Sequence, residues 1–215
     1  GGYYVFRLGE PWLQARATPT LPGIEGVFAS IEGFMRSGDI RKAYEHMQVL
    51  EEIAGDFPEV RYFLGTVLRE VNSPLAAHHL RRADAGGLKV LLLWEMLGKQ
   101  AEDEWRLEEA LGFRERIRKL DIRADMKPYV RLLVKMSRQA EQMGRLRQAE
   151  SRLRRALSAS PLDPSLWAEF SRFLLRSGRR IEAESAAREA IKLGGRNRER
   201  MALLHEIMRS KEAGR

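Results

Sequence analysis

The chain has 215 residues, 44% of them apolar, and carries 38 Lys+Arg against 30 Asp+Glu for a formal net charge of +8. That length and apolar share allow a sizeable core in one extended domain or two small ones. Cysteine is absent, which excludes disulfides and thiol chemistry without deciding between a reducing and an oxidising compartment.

In chain order, Gly1-Gly2 without a Met reads as a cloning remnant, so the native chain is expected to be longer, with any signal or membrane anchor outside this sequence. In residues 1–23 the β-prone cluster Tyr3, Tyr4, Val5 and Phe6 is followed by Pro11, Pro19, Pro22 and Gly23, which break any helix. An extended segment is expected there. It serves either as a linker or as a strap whose Tyr4, Phe6 and Trp12 dock on the helices. From Ile24 the pattern turns helical. Residues 24–57 carry Phe34, a Ser37-Gly38-Asp39 turn, Ala43 and Met47, and Ile31 and Leu50 stand where small residues are expected. Residues 58–90 carry Leu64, Gly65 and Leu68, then an Asn72-Ser73-Pro74 turn that is one residue short. Ala76 and Ala83 follow seven apart, with Asp84–Gly87 as a C-cap. In residues 91–129 Trp94, Leu97, Gly98 and Ala110 keep the pattern without a turn Gly, so either the helices lengthen or Glu104–Arg106 forms the turn. Arg114–Lys119 and the residues up to Pro128 are expected to form an insertion of about five residues. The longest apolar run, Val90–Trp94, is far short of the ~20 residues that span a bilayer.

The pattern is clearest in residues 130–163 and 164–197, where it is written twice at a spacing of 34: Gly144, Ala149 and Ala156, then Gly178, Ala183 and Ala190. Alanines seven apart fall on one helix face, so each copy is a helical hairpin with a tight turn at the Gly. A fixed period of this length marks hairpins that bury their apolar faces by stacking on one another. After Gly194-Gly195 one more helix, residues 198–212, places Met201, Leu204 and Met208 on its core face as a terminal cap. His205 fills a slot that usually holds a small residue.

These residues resemble the tetratricopeptide repeat family, whose repeat carries Trp-x-x-Leu-Gly-x-x-Tyr, then Ala and Phe, then Ala and Pro. In residues 164–195 the slots hold Trp167, Phe170, Ser171, Leu174, Ala183, Ala187 and Ala190; in 130–163 they hold Leu133, Met136, Ser137, Ala140, Ala149, Leu153, Ala156 and Pro161. Leu133 replaces the Trp, and neither copy has the Gly at the eighth position. The resemblance implies an all-α, right-handed α-solenoid of stacked antiparallel helix pairs over residues 24–215, closed by the capping helix. It also implies a groove lined by the first helices. Its register places Phe28, Met35, Tyr62 and Thr66 in the groove, with Glu32, Arg69 and Glu70, at an apolar end. Glu95, Lys99, Glu102 and Asp103 fall in an acidic middle. Arg131, Val134, Arg138, Arg172, Leu175 and Arg176, with Lys135 alongside, make an Arg-rich end. The Asn residues with which some family members clamp a C-terminal carboxylate have no counterpart, since Asn72 and Asn197 fall at a turn and a cap.

No catalytic pattern emerges. His78 and His79 are adjacent, so on a helix they point about 100° apart and cannot share a metal as an i, i+4 pair could. No metal, cofactor or catalytic residue is therefore assigned. Glu108-Glu109 reads as a solvated helix edge. The basic character lies in the C-terminal half, where residues 101–215 hold 27 Lys+Arg against 18 Asp+Glu. The expected function is a non-catalytic adaptor or assembly scaffold of a bacterial protein, at the cytoplasmic or periplasmic face of the cell. Its partner would be a protein segment, a peptide or helix with acidic and apolar residues. The rival readings are a nucleic-acid or anionic-polymer binder using the C-terminal arginines, which lacks a stacking aromatic platform, and the regulatory domain of a larger enzyme.

Overall fold

The computed structural model describes residues 4–7, 12–15 and 24–212. Strands β1 (Tyr4–Arg7) and β2 (Trp12–Ala15) pair antiparallel, Tyr4 opposite Ala15 and Arg7 opposite Trp12. The docking expected of Tyr4, Phe6 and Trp12 lies outside the described side chains. Eleven helices follow among the described residues, and the chain divides into two compact units at residues 120 and 121.

The first unit holds α1 (Ile24–Ser37), α2 (Ile40–Ala54), α3 (Pro58–Leu68), α4 (Ser73–Ala85), α5 (Leu91–Asp103) and α6 (Leu107–Leu120). Helix starts follow from local chemistry. Asp39 and Asn72 cap α2 and α4 by accepting from the Lys42 and Leu75 N–H groups, and Pro58 opens α3, where its missing N–H costs nothing. Asn72 is thus the cap, and Ser73-Pro74 already belong to α4. The α5–α6 turn is built from Glu104–Arg106 at ordinary helix length. Arg114–Lys119, expected in an insertion, continue α6; six residues, 121–126, separate it from the next helix.

One turn closes four of the pairs. The N–H after the turn residue reaches back five residues: Asp39 to the Phe34 carbonyl, Arg106 to Ala101, Arg145 to Ala140 and Arg179 to Leu174. That closure needs a left-handed residue. Gly38, Gly144 and Gly178 supply it without a Cβ penalty, but in the third pair Trp105 does so at φ 59°.

The second unit holds α7 (Lys127–Gln142), α8 (Leu146–Ala159), α9 (Pro164–Arg176), α10 (Arg180–Gly194) and α11 (Arg198–Glu212). Ala149, Ala156, Ala183 and Ala190 are wholly buried, as their spacing predicts. Where the repeat pattern asks for Gly, Ser137 and Ser171 are buried and donate to the Ala149 and Ala183 carbonyls at 2.9 and 2.7 Å. Each hydroxyl therefore ties its helix to the facing one. In the first unit the same slot holds Gly65, where a Cβ would come within 2.6 Å of Leu80. The capping helix buries Leu203, Leu204 and Ile207, whereas Met208 is 47% exposed and His205 exposed, so its core face is turned about one residue from the expected one.

Candidate partner-binding surfaces

In the first unit, the C-terminal end of α3, the start of α4 and the outer part of α5 enclose a cleft of about 430 Å³. Its apolar lining includes Leu80 and Met96, and its charged lining Arg69, Glu70, Lys99 and Asp103. Arg69 pairs with Glu70 at 3.3 Å and Lys99 with Asp103 at 3.6 Å. Both pairs are exposed, so water competes for them and a ligand can exchange partners at little cost. The groove register singled out Arg69, Glu70, Lys99 and Asp103. It missed Leu80, which comes from a second helix, and Met96.

Phe28 and Tyr62 are not groove residues. Phe28 is 7% and Tyr62 1% exposed, and the Phe28 ring lies 4.2 Å from that of Phe63. Burial pushes the Tyr62 phenol up to about 12. Neither ring has the free area that a binding anchor requires. Met35 and Thr66 are half-buried, and the Thr66 hydroxyl donates to the Tyr62 carbonyl at 2.9 Å.

A buried polar cluster ties α2, α3 and α4 together. The Arg61 guanidinium bonds the Gly55 carbonyl, the Glu51 carboxylate and, at 3.2 Å, Nδ1 of His79. His79 is 2% exposed, and burial pulls its imidazole down to about 4. The neutral ring thus accepts at Nδ1 and carries its proton on Nε2. Arg61 in turn holds the Glu51 carboxyl below the usual range.

In the second unit the arginines expected to form an anion-binding end are paired within the protein. Arg138 Nε donates to Glu169 Oε1 at 2.8 Å, and Arg172 lies 3.5 Å from the other oxygen. Arg176 contacts both oxygens of Glu141 at 2.6 and 2.9 Å, and Arg172 also bonds Glu199. Glu169 is 9% exposed, and hydrogen bonding to Arg138 holds its carboxyl below the ordinary carboxylate range. On the same α7, Arg131 is exposed and Lys135 half-buried. The partners Glu169, Glu141 and Glu199 lie 31, 35 and 27 residues from their arginines. The readable signal is therefore opposite charge about one repeat away, on the neighbouring first helix.

Residues 133–214 match the family model described as the Cilia and flagella-associated protein 70 middle TPR-like domain. No curated protein matches by sequence. Among solved structures the chain is similar to MamA protein at 15% identity and a TM-score of 0.50, over 80% of this chain and 92% of that one. It is similar to another MamA structure, labelled AMB-1, again at 15% identity and 0.50, over 84% and 97%. YrrB, described as a TPR protein with an unusual peptide-binding site, aligns at 14% identity and 0.48 over 82% and 89%. The helix pairs and the MamA likeness define the fold class, a tetratricopeptide-like α-solenoid with a C-terminal capping helix, and the family match falls within residues 133–214 of it.

Proposed function

We propose that the chain is a non-catalytic interaction module of the adaptor or scaffold kind, holding a segment of a partner protein in the first-unit cleft. The observation that carries this is the cleft itself: the half-buried Met96, with the buried Leu80 also in its lining, ringed by exposed, exchangeable charges. Recognition sites of this kind anchor one apolar side chain and use a few polar groups to orient the rest. An aliphatic side chain or Met of the partner enters the floor, an acidic neighbour turns to Arg69 or Lys99, and a basic one to Glu70 or Asp103. The arginines at 138, 172 and 176 are poorer acceptors of an acidic segment, because a ligand carboxylate must first displace Glu169, Glu141 or Glu199. The non-catalytic reading draws support from His79, whose strongly shifted imidazole is engaged with Arg61 instead of facing solvent.

The test is a display selection of random peptides on the full chain, followed by measurement of one selected peptide on variants. Met96→Glu should weaken the peptide by about tenfold or more, since it places a charge against an apolar side chain. Arg172→Gln should leave the affinity unchanged. The reverse pattern would move the binding surface to the second unit.

A further inference from the structure

The turns that close the helix pairs carry exposed apolar side chains in two opposite charge settings. In the first unit the α5–α6 turn holds Trp105 at 65% exposure, left-handed where three other turns use Gly. Backbone outliers of this kind concentrate at functional positions. Residues 99–109 hold five Asp+Glu against two Lys+Arg, and of the cations outside that stretch Arg81 approaches Glu104 at 3.9 Å. The turn therefore presents a large exposed indole in a net negative setting.

In the second unit the α7–α8 and α9–α10 turns share one edge. Arg176 bonds Glu141 near the end of α7, and Arg179 reaches both Glu150 of α8 and Glu182 of α10, which brings the first turns of α8 and α10 together. Met143, Leu146 and Ile181 stand on this edge at 57%, 46% and 87% exposure. Residues 141–150 and 176–182 together hold five Arg against three Glu, and each of the three glutamates is held by Arg176 or Arg179. Arg145 and Arg147, on either side of Leu146 in the chain, are exposed and have no side-chain partner among the described residues.

We propose that the chain associates with a second copy of itself, the Trp105 turn of one copy seated on the edge of Met143, Leu146 and Ile181 of the other. The indole covers the aliphatic side chains, while Arg145 and Arg147 meet the carboxylates of Asp103 and Glu108. An apolar centre with a charged rim is the anatomy of a protein interface, and Trp and Arg are the residue types that dominate its energy. Different patches meet, so the contact is heterologous. An anionic lipid surface or a nucleic acid would meet the three glutamates set among these arginines, and the edge offers no exposed ring on which bases stack. The contact uses neither Leu80 nor Met96, so it stands independently of the first-unit cleft.

The readout is the mass of the full chain by sedimentation equilibrium over a range of concentrations. One indole buries about 150–250 Å², and a contact built on it falls short of the ~1,200 Å² of a stable complex. The mass should therefore exceed that of the monomer only at high micromolar protein, and it should fall back as salt is added. Trp105→Ala should weaken the association at least about tenfold. A charge swap tests which surfaces meet. Arg145→Glu with Arg147→Glu, and separately Asp103→Lys with Glu108→Lys, should each stay monomeric, because like charges then face one another. An equimolar mixture of these two double variants should associate again, since each finds the opposite charge on the other. All the substituted side chains are exposed, so circular dichroism should be unchanged. A monomer at every concentration, a Trp105→Ala chain that associates as the wild type does, or a mixture that stays monomeric overturns the proposal. So does RNA or an anionic vesicle bound through Arg145 and Arg147 while the chain remains a monomer.

Discussion

Replacing Glu169 by Gln tests the charge pairing that distinguishes the second unit from a free Arg-rich surface. Glu169 is 9% exposed and takes Arg138 at 2.8 Å and Arg172 at 3.5 Å on its two oxygens. A hydrogen bond between charged groups contributes about 1.5–3 kcal/mol when shielded. The Arg138 side chain is 61% exposed, and solvent screening brings the expected loss to about 1–2 kcal/mol. For a chain of this size that is a fall in melting temperature of roughly 2–8 °C. The effect must also depend on pH. Arg138 holds the folded-state carboxyl below its ordinary value. Glu169 therefore stabilises fully above the unfolded-state pKa, and its contribution is lost as pH falls through the lower folded-state value. Thermal melts of both proteins, followed by circular dichroism, should differ at neutral pH and converge as pH falls through the lowered folded-state value. A difference that is absent at neutral pH, or that persists undiminished in acid, refutes the pairing.

Other substitutions test the helix pairs. Ser137→Ala and Ser171→Ala should each lower stability by about 0.5–1.5 kcal/mol, since each removes a buried donor to a facing carbonyl; denaturant melts measure it. Gly65→Ala puts a Cβ 2.6 Å from Leu80 and should cost about 1–3 kcal/mol by overpacking. Trp105→Gly relieves a left-handed backbone worth about 1–2 kcal/mol but frees the unfolded chain by about 0.5–1 kcal/mol, so the melting midpoint should stay level or rise. A marked fall would show that the indole contributes more contact energy than its 65% exposure suggests.

The helix pairs were legible because their signal is local and repeated. Alanines seven apart at 149, 156, 183 and 190 are all at zero exposure, and Gly38, Gly144 and Gly178 sit at the left-handed turns. The α5–α6 turn was less legible, since Trp105 takes a conformation that its residue type does not announce. Phe28, on α1, was misplaced because its ring packs on that of Phe63 of α3, and Tyr62 for a different reason. Every residue of α3 from Glu59 to Gly65 is buried, so this helix has no free stripe and a groove register carried onto it points into the core. The charge balance misled in the second unit because Glu141, Glu169 and Glu199 meet their arginines only after the repeats stack. At the cleft, the charged residues followed from the register, whereas Leu80 enters through the approach of α4 to α3 at Gly65.

Site mapping of a bound peptide is the most direct check on the proposed cleft. With a photo-crosslinking amino acid placed in turn at Met96, Lys99, Arg131 and Arg176, a display-selected peptide should be captured from positions 96 and 99 and released by excess unlabelled peptide. Capture from 131 and 176 with none from 96 and 99 would contradict the first-unit cleft and place recognition on the second unit.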